Sequence, residues 1–369
     1  MPIQRRFLDW NRRGLHAAAD LLIERCLGDA TIDLQHVVVV FPGGRAGRRL
    51  LEILYQRAEQ QSRQLIPPTL STVGSLPELL HQPPRPRATA FARDLAWMRS
   101  LEGAAPSDLA VVLPERPAGE DTLGWATLAG TLASLHSELS GSGLTFADVA
   151  LRCEARSDVS ESRRWQALAR IQRAYLDDLA RADLADPYCA RMEAVAQGAC
   201  HADRDIVLVG VAEANEVLKA MLAQVAERVT ALVLAPDALA DRFDAYGCID
   251  HGVWLAAAID VPDSRLDMVD TPADQAEAVM RTLIAYQGRY ASDEVAIGVP
   301  DAEVVPCLSG WHPKESVGAC RRGCAGRRGA SRPGGAGVTR DHQSSGRMLV
   351  HHVRRHRCVA IFKAISGTR

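Results

Sequence analysis

The sequence predicts an α/β fold with a mostly parallel sheet, and three observations predict it. Apolar runs of strand length recur without alternation, in "VVVVF" (Val37–Phe41), at the start of "DIVLVGVAEAN" (205–215) and at the start of "VTALVLAP" (229–236). A strand apolar at every position suits one covered on both faces, as helices cover a parallel sheet. A turn signal and helical periodicity then follow, which is the first half of a βα unit. Strand and helix patterns alternate again towards residue 308, as expected of an α/β framework.

Bulk composition narrows the class. The chain has 369 residues, 47% apolar and 24% charged, enough for two or three domains with a buried core. No run of about 18 apolar residues predicts a membrane span. The start, "MPIQRRFLDWNRRGL", is basic but has no apolar stretch behind it, so a secretory signal is not predicted and the expected location is cytoplasmic. Nine cysteines at irregular spacing do not form a secreted disulfide framework.

The net charge of -2 conceals two kinds of sequence. Residues 309–369 carry 13 Lys and Arg against 2 Asp and Glu, whereas the first 308 carry 30 against 43. Apart from "CVAIF", the basic tail has neither helical nor strand periodicity. Cys320, Cys324, His351, His352, His356 and Cys358 could be drawn around zinc, but the second half of that set is bunched irregularly about 26 residues on. A Gly- and Arg-rich tail can be a nucleic-acid-binding arm. It is also what a GC-rich reading frame yields out of register, and this second reading is the expectation. It predicts a disordered or frameshifted tail and a natural protein that continues differently after about Leu308.

The elements follow in order. Residues 5–27 place Leu15, Ala18, Ala19, Leu22 and Ile23 at helical spacing. After the valine strand, "GRAGRRLLEILYQRAEQQ" puts Leu50, Leu51, Leu54 and Ala58 on one side of a helix. "LIPPTLSTVGSLPELL" predicts an extended piece ending near Thr72 and a helix start at 75–78, with Ser75 as cap and Pro77 in the first turn. "HQPPRPR" breaks the chain, and residues 88–196 are then mostly helical in pattern. "RLDMVDTPADQAEAVMRTLIAYQG" predicts a strand leading into a helix capped by Thr271, with Pro272 at its first position. "DEVAIGVPD" (293–301) predicts one more strand. The expected organisation is 1–87 as the first part of an α/β domain, 88–200 as a helical insertion and 201–262 as the return of that domain. Residues 263–308 begin a second lobe, and 309–369 are the tail.

The corner "HVVVVFPGGRAGRRLLEIL" (36–54) raises the functional question. A phosphate-wrapping loop of the form G-x-x-x-x-G-K-[ST] needs glycines for backbone approach, a lysine and a magnesium-binding hydroxyl. With Gly47 as the second glycine, Pro42 replaces the first, Arg48 the lysine and Arg49 the hydroxyl. Arg48 could attract phosphate, but Arg49 cannot ligate a cation. After "IVLVG", Gly210 stands where a magnesium-holding acid would sit, with Glu213 three residues on. Three readings stand. One is an ATPase with a divergent loop. Another is a helix N-terminus where Gly43, Gly44, Arg45, Gly47, Arg48 and Arg49 contact nucleotide or DNA phosphate. The third is the solvated face of a packed helix.

With these segments, and with "SELSGSGLTFADVA", "RRWQALARIQRAYLDDL", "DIVLVGVAEANEVLKAMLAQVAERVTALVLAPDALADRFDAYG" and "DQAEAVMRTLIAYQGRYASDEVAIGVPD", the sequence over residues 5–308 resembles the AddB-type subunit of bacterial double-strand-break-repair helicase-nucleases. The resemblance implies a helicase-like parallel sheet of P-loop NTPase type with a large helical insertion. It further implies DNA binding without catalysis by this chain, with ATP and magnesium belonging to the intact protein or to a motor partner of AddA type. The family's C-terminal PD-(D/E)xK nuclease has no counterpart here, because no carboxylate pair and lysine follow the body to hold metal and activate water. Asp186-Pro187 reads as a helix-ending dipeptide. The alternatives are an active ATP-dependent helicase or exonuclease subunit and a pure interaction scaffold. Trp10, Trp97, Trp125, Trp165 and Trp254 could stack bases, but each sits in a helix-like context where core packing is the commoner role. The acidic body argues against broad nonspecific DNA affinity.

Overall fold

The computed structural model describes residues 2–26, 30–113, 115–258, 261–290, 295–299 and 302–309. Beyond Ser309 the basic tail, with its cysteines and histidines and the disorder expected of it, lies outside the described residues. The described residues fall into two units that divide between Ala257 and Ala258.

In chain order the first unit comprises β1 (Gln4–Phe7), α1 (Gly14–Glu24), β2 (Thr31–Asp33), β3 (Val37–Phe41), α2 (Gly44–Gln60), β4 (Gln64–Ile66), β5 (Thr69–Thr72) and α3 (Pro77–Leu80). Six helices follow: α4 (Ala90–Glu102), α5 (Pro106–Val112), α6 (Thr122–Gly141), α7 (Phe146–Ala155), α8 (Val159–Arg181) and α9 (Pro187–Gln197). The sheet then resumes with β6 (Asp205–Val209), α10 (Glu216–Gln224) and β7 (Val229–Val233), and α11 (His251–Ala256) comes last.

Five strands form one sheet in the order β1-β7-β6-β3-β5, every pair parallel. The valine run explains its centre. All five residues of β3 are buried, and side chains alternate between faces. Val37, Val39 and Phe41 join Leu22 of α1 and Leu50 and Leu54 of α2 on one side. Val38 and Val40 join Leu76, Leu80 of α3 and Leu218 and Met221 of α10 on the other. The sheet is therefore sandwiched, and the expected α/β class with a parallel sheet holds. Strands β2 and β4 make a separate two-stranded parallel ribbon.

The connections run outward from the centre in opposite directions. The crossover from β3 to β5 carries α2 on one face, while that from β6 to β7 carries α10 on the other. Strand order thus reverses between β3 and β6, which is where open α/β sheets characteristically place a ligand crevice, beyond the strands' C-terminal ends.

Helices α4, α6, α7 and α8 build a core of their own around Trp97, Trp125, Phe146 and Tyr175. Trp97 stacks on Tyr175 with centroids 4.1 Å apart. The sequence supplies the boundaries: Thr89 caps α4, Asp121 caps α6, Thr145 and Asp148 form a capping box on α7, and Asp158 caps α8.

Four expectations need correction. Residues 5–7 are strand, because β1 pairs with β7 and the helix starts only at Gly14. The residue before α3 is Leu76, not Ser75, and no side chain caps that helix; Pro77 does occupy its first turn. Residues 266–270 form no strand and follow a short 3₁₀ turn at Asp263–Arg265. Residues 295–299 also carry no ladder, while Asp293, Glu294, Pro300 and Asp301 lie outside the described residues. Apolar alternation makes a strand only where a neighbouring edge accepts its hydrogen bonds.

In the second unit, α12 (Pro272–Ala285) begins as expected, with Thr271 accepting from the Asp274 amide at 3.2 Å. Ala276 and Val279 pack with Val304, Cys307 and Leu308 of α13 (Val304–Ser309). Among the described residues, no helix is long and apolar enough to cross a membrane.

Candidate functional site

Because all five strands are parallel, the segments after each converge on one edge. These are 8–13 after β1, 234–236 after β7, 210–215 after β6, Pro42 and Gly43 after β3, and 73–76 after β5.

The β3–α2 corner is short. Only Pro42 and Gly43 separate the strand from the helix, so residues 44–49 are already helical. A loop that wraps a triphosphate holds several non-helical residues whose N–H groups turn inward. A two-residue corner has no such concavity. What it offers is the N-terminus of a 17-residue helix with no side-chain cap at Gly43. A Cβ on Gly43 or Gly44 would meet nothing within 4 Å, so the approach to that terminus is open.

The flanking residues divide by role. Gly47 is buried, and a Cβ there would lie 3.3 Å from the Phe41 ring and 3.5 Å from Leu70, so packing accounts for this glycine. Arg45, Arg48 and Arg49 are exposed and share a helix face at three- and four-residue spacing. Arg49 pairs with Glu52 at 2.7 Å. Arg45 and Arg48 have no hydrogen bond or ion pair among the described residues, so two guanidinium groups stand free beside the positive end of the helix dipole.

The β6 edge differs. Gly210 has φ +60, and a Cβ on it would lie 2.7 Å from Leu234. Glu213 is exposed and sits 3.8 Å from His251, so no acid stands directly at the tip of β6. Next to this edge, a cavity of about 290 Å³ lies between the helical block and the sheet, bordered by Gly74, Ser137, Tyr188, Arg191 and Asn215. Arg191 is engaged with Glu78 at 2.5 Å. Burial would push the Tyr188 phenol up, but hydrogen bonds from Ser137 and Arg93 and the charges of Arg93 and Arg191 hold it below the usual tyrosine range.

Behind that cavity is a buried polar network that the sequence reading missed. His136 of α6 lies 3.1 Å from Asp186 Oδ1. The Tyr175 hydroxyl donates to Asp186 Oδ2 at 2.5 Å, and the backbone N–H groups of Tyr188 and Cys189 donate to Oδ1 at 2.9 and 2.8 Å. Asp186 is therefore the N-cap of α9 and not a helix end. Burial would raise its carboxyl, yet His136, Tyr175 and the Cys189 amide hold it below the ordinary carboxylate value. Burial and the neighbouring carboxylate push the Cys189 thiol up, so it stays protonated.

His136, Asp186 and Cys189 place ligand-type atoms within 4.8 Å of one another, which is metal-like spacing. The hydrogen bonds do not fit a metal. The Phe146 amide donates to Gln172 Oε1 at 3.2 Å, which directs Gln172 Nε2 at His136 Nδ1, 2.9 Å away. Nδ1 must then accept, and Nε2 must carry the proton that it gives to Asp186. A metal on Nε2 would force a proton onto Nδ1, facing another donor. The same constraint disposes of a nucleophilic triad: Ser140 Oγ is 3.4 Å from Nδ1, whose single in-plane lone pair Gln172 already occupies. The network is a lock between α6, α8 and α9.

The tryptophans separate clearly. Trp97 and Trp125 are core, Trp165 packs against Phe146, and Trp254 lies between Phe243 and Arg242. Trp10 is 59% exposed in the turn after β1, not in a helix. No periodic signal could find it, since a turn has none. No protein-family model matches the chain, and no curated protein matches it.

Proposed function

We propose that the first unit is a helicase-like, P-loop-derived α/β body that binds DNA phosphate without hydrolysing ATP, as a subunit of a double-strand-break-repair helicase-nuclease. The observation that carries this reading is the pair of unpaired, exposed arginines, Arg45 and Arg48, at the uncapped N-terminus of α2 beside the strand-order reversal. Cations at an open helix N-terminus favour a polyanion's phosphate, and phosphate contacts position a nucleic acid without reading its sequence. The reading also draws on the sequence resemblance to AddB-type subunits, which carries the motor partner of AddA type; the cytoplasmic location rests on the basic start having no apolar stretch behind it. ATP and magnesium are assigned to that partner.

Filter binding of single-stranded DNA at low and high salt tests it. The reading expects salt-sensitive binding that weakens in Arg45→Ala and Arg48→Ala. Retention of a motor subunit with no DNA retained would instead favour a scaffold.

A further inference from the structure

We propose that Trp10 is a stacking platform for an unpaired base of single-stranded DNA whose phosphates reach the β3–α2 corner. This rests on the phosphate-binding reading above and adds a second, uncharged contact to it.

The geometry is that of a fixed indole with accessible surface. The Trp10 backbone N–H donates to Asp9 Oδ1 at 2.6 Å, and the indole Nε1–H donates to the Leu234 carbonyl at 3.0 Å. The first bond holds the turn's backbone and the second restrains the indole itself, so less rotamer freedom is left to lose on binding. Trp10 has no aromatic or cation contact among the described residues, and it keeps the largest exposure of any tryptophan described. Leu234, which it touches through that carbonyl, is itself 40% exposed and lies against Gly210 and Gly14, two glycines that admit it closely.

Its place in the sheet supplies the second contact. β1 and β3 are three strands apart in the order β1-β7-β6-β3. At roughly 4.8 Å per strand the ends are about 14 Å apart, which about four stacked nucleotides span at roughly 3.4 Å each. One strand of DNA could therefore lay a base on Trp10 while its phosphates meet Arg45 and Arg48. Stacking on an indole is tolerant of base identity because every base has a π-face. Asp9, whose carboxylate accepts from the Trp10 amide, disfavours a phosphate directly over Trp10, whereas Asp20 is paired with Arg12 and Arg57; this suits a base there and phosphates farther along.

The test uses the full chain with an oligothymidylate and an abasic oligomer of equal length. Trp10→Ala is expected to weaken oligothymidylate binding about tenfold and to leave abasic binding unchanged. Trp10→Phe, which keeps a ring, is expected to stay within about threefold of the parent. Oligothymidylate should quench indole fluorescence in the parent and not in Trp10→Phe. Equal affinity of Trp10→Ala and parent for oligothymidylate overturns the stacking contact while the phosphate reading stands. An absence of salt-sensitive binding by the parent itself overturns both.

Discussion

His136 Nε2 stands 3.1 Å from Asp186 Oδ1, and the two residues are 50 positions apart in the chain. The pair ties the middle of α6 to the start of α9, with Tyr175 of α8 closing the third side through the other carboxylate oxygen. Removing one partner of such a network strands the others without water. Asp186→Asn and His136→Ala are each expected to cost about 2–4 kcal/mol of stability, read as a lower urea midpoint. Tyr175→Phe combined with Asp186→Asn should cost less than the sum of the two, because the second loss finds the network already broken.

Acid should release the same lock. The Asp186 carboxyl is held below its ordinary value, so its contribution is complete above the unfolded carboxylate pKa of about 3.9. That contribution is lost as pH falls through the lower folded value. Asp148, held down by the Thr145 hydroxyl and amide, acts in the same direction. Urea midpoints measured from neutral pH down to acid should fall steeply for the parent. They should fall less for Asp186→Asn, which has no proton to take up at that position.

Gly210 sits at φ +60 with Leu234 where a side chain would begin. Gly210→Ala combines a left-handed conformation with a 2.7 Å approach and is expected to cost about 1–3 kcal/mol. Leu234 must move to relieve the contact, and its carbonyl holds the Trp10 indole. A change in tryptophan emission should therefore accompany the loss of thermal stability.

The degenerate corner makes a sharper prediction. If only side-chain chemistry were missing, Arg48→Lys with Arg49→Thr would restore a grip on Mg·ATP. Because only Pro42 and Gly43 lie between β3 and α2, the backbone cannot wrap a triphosphate. Calorimetry of the double variant with Mg·ATP is expected to show no binding heat.

Most of the sheet was legible because its signal is local. Five apolar residues in β3 can hardly be anything but a covered strand, and Thr271-Pro272 announces a helix in two letters. β1 was not legible, since "QRRF" has three exposed residues and owes its strand state to the free edge of β7. The reverse error came at 265–270 and 295–299, where the pattern is strand-like and no edge pairs with it. At the site, the arginine face of α2 could be read from spacing, and so could the short corner, since the valine run ends at Phe41 and the helical pattern begins at Gly44. The His136–Asp186 contact was beyond reach for another reason: a polar residue on a buried helix face signals that it has a partner without saying which. In "Asp186-Pro187" the cap signal was present and was read as the end of a helix when it marks a beginning.

The central claim is that Arg45 and Arg48 meet nucleic-acid phosphate at the start of α2. The most direct measurement is the salt dependence of single-stranded DNA affinity for the parent and for Arg45→Ala/Arg48→Ala. Removing two phosphate contacts should reduce the slope of log affinity against log salt by about 1.4. Identical slopes for the two proteins would contradict it.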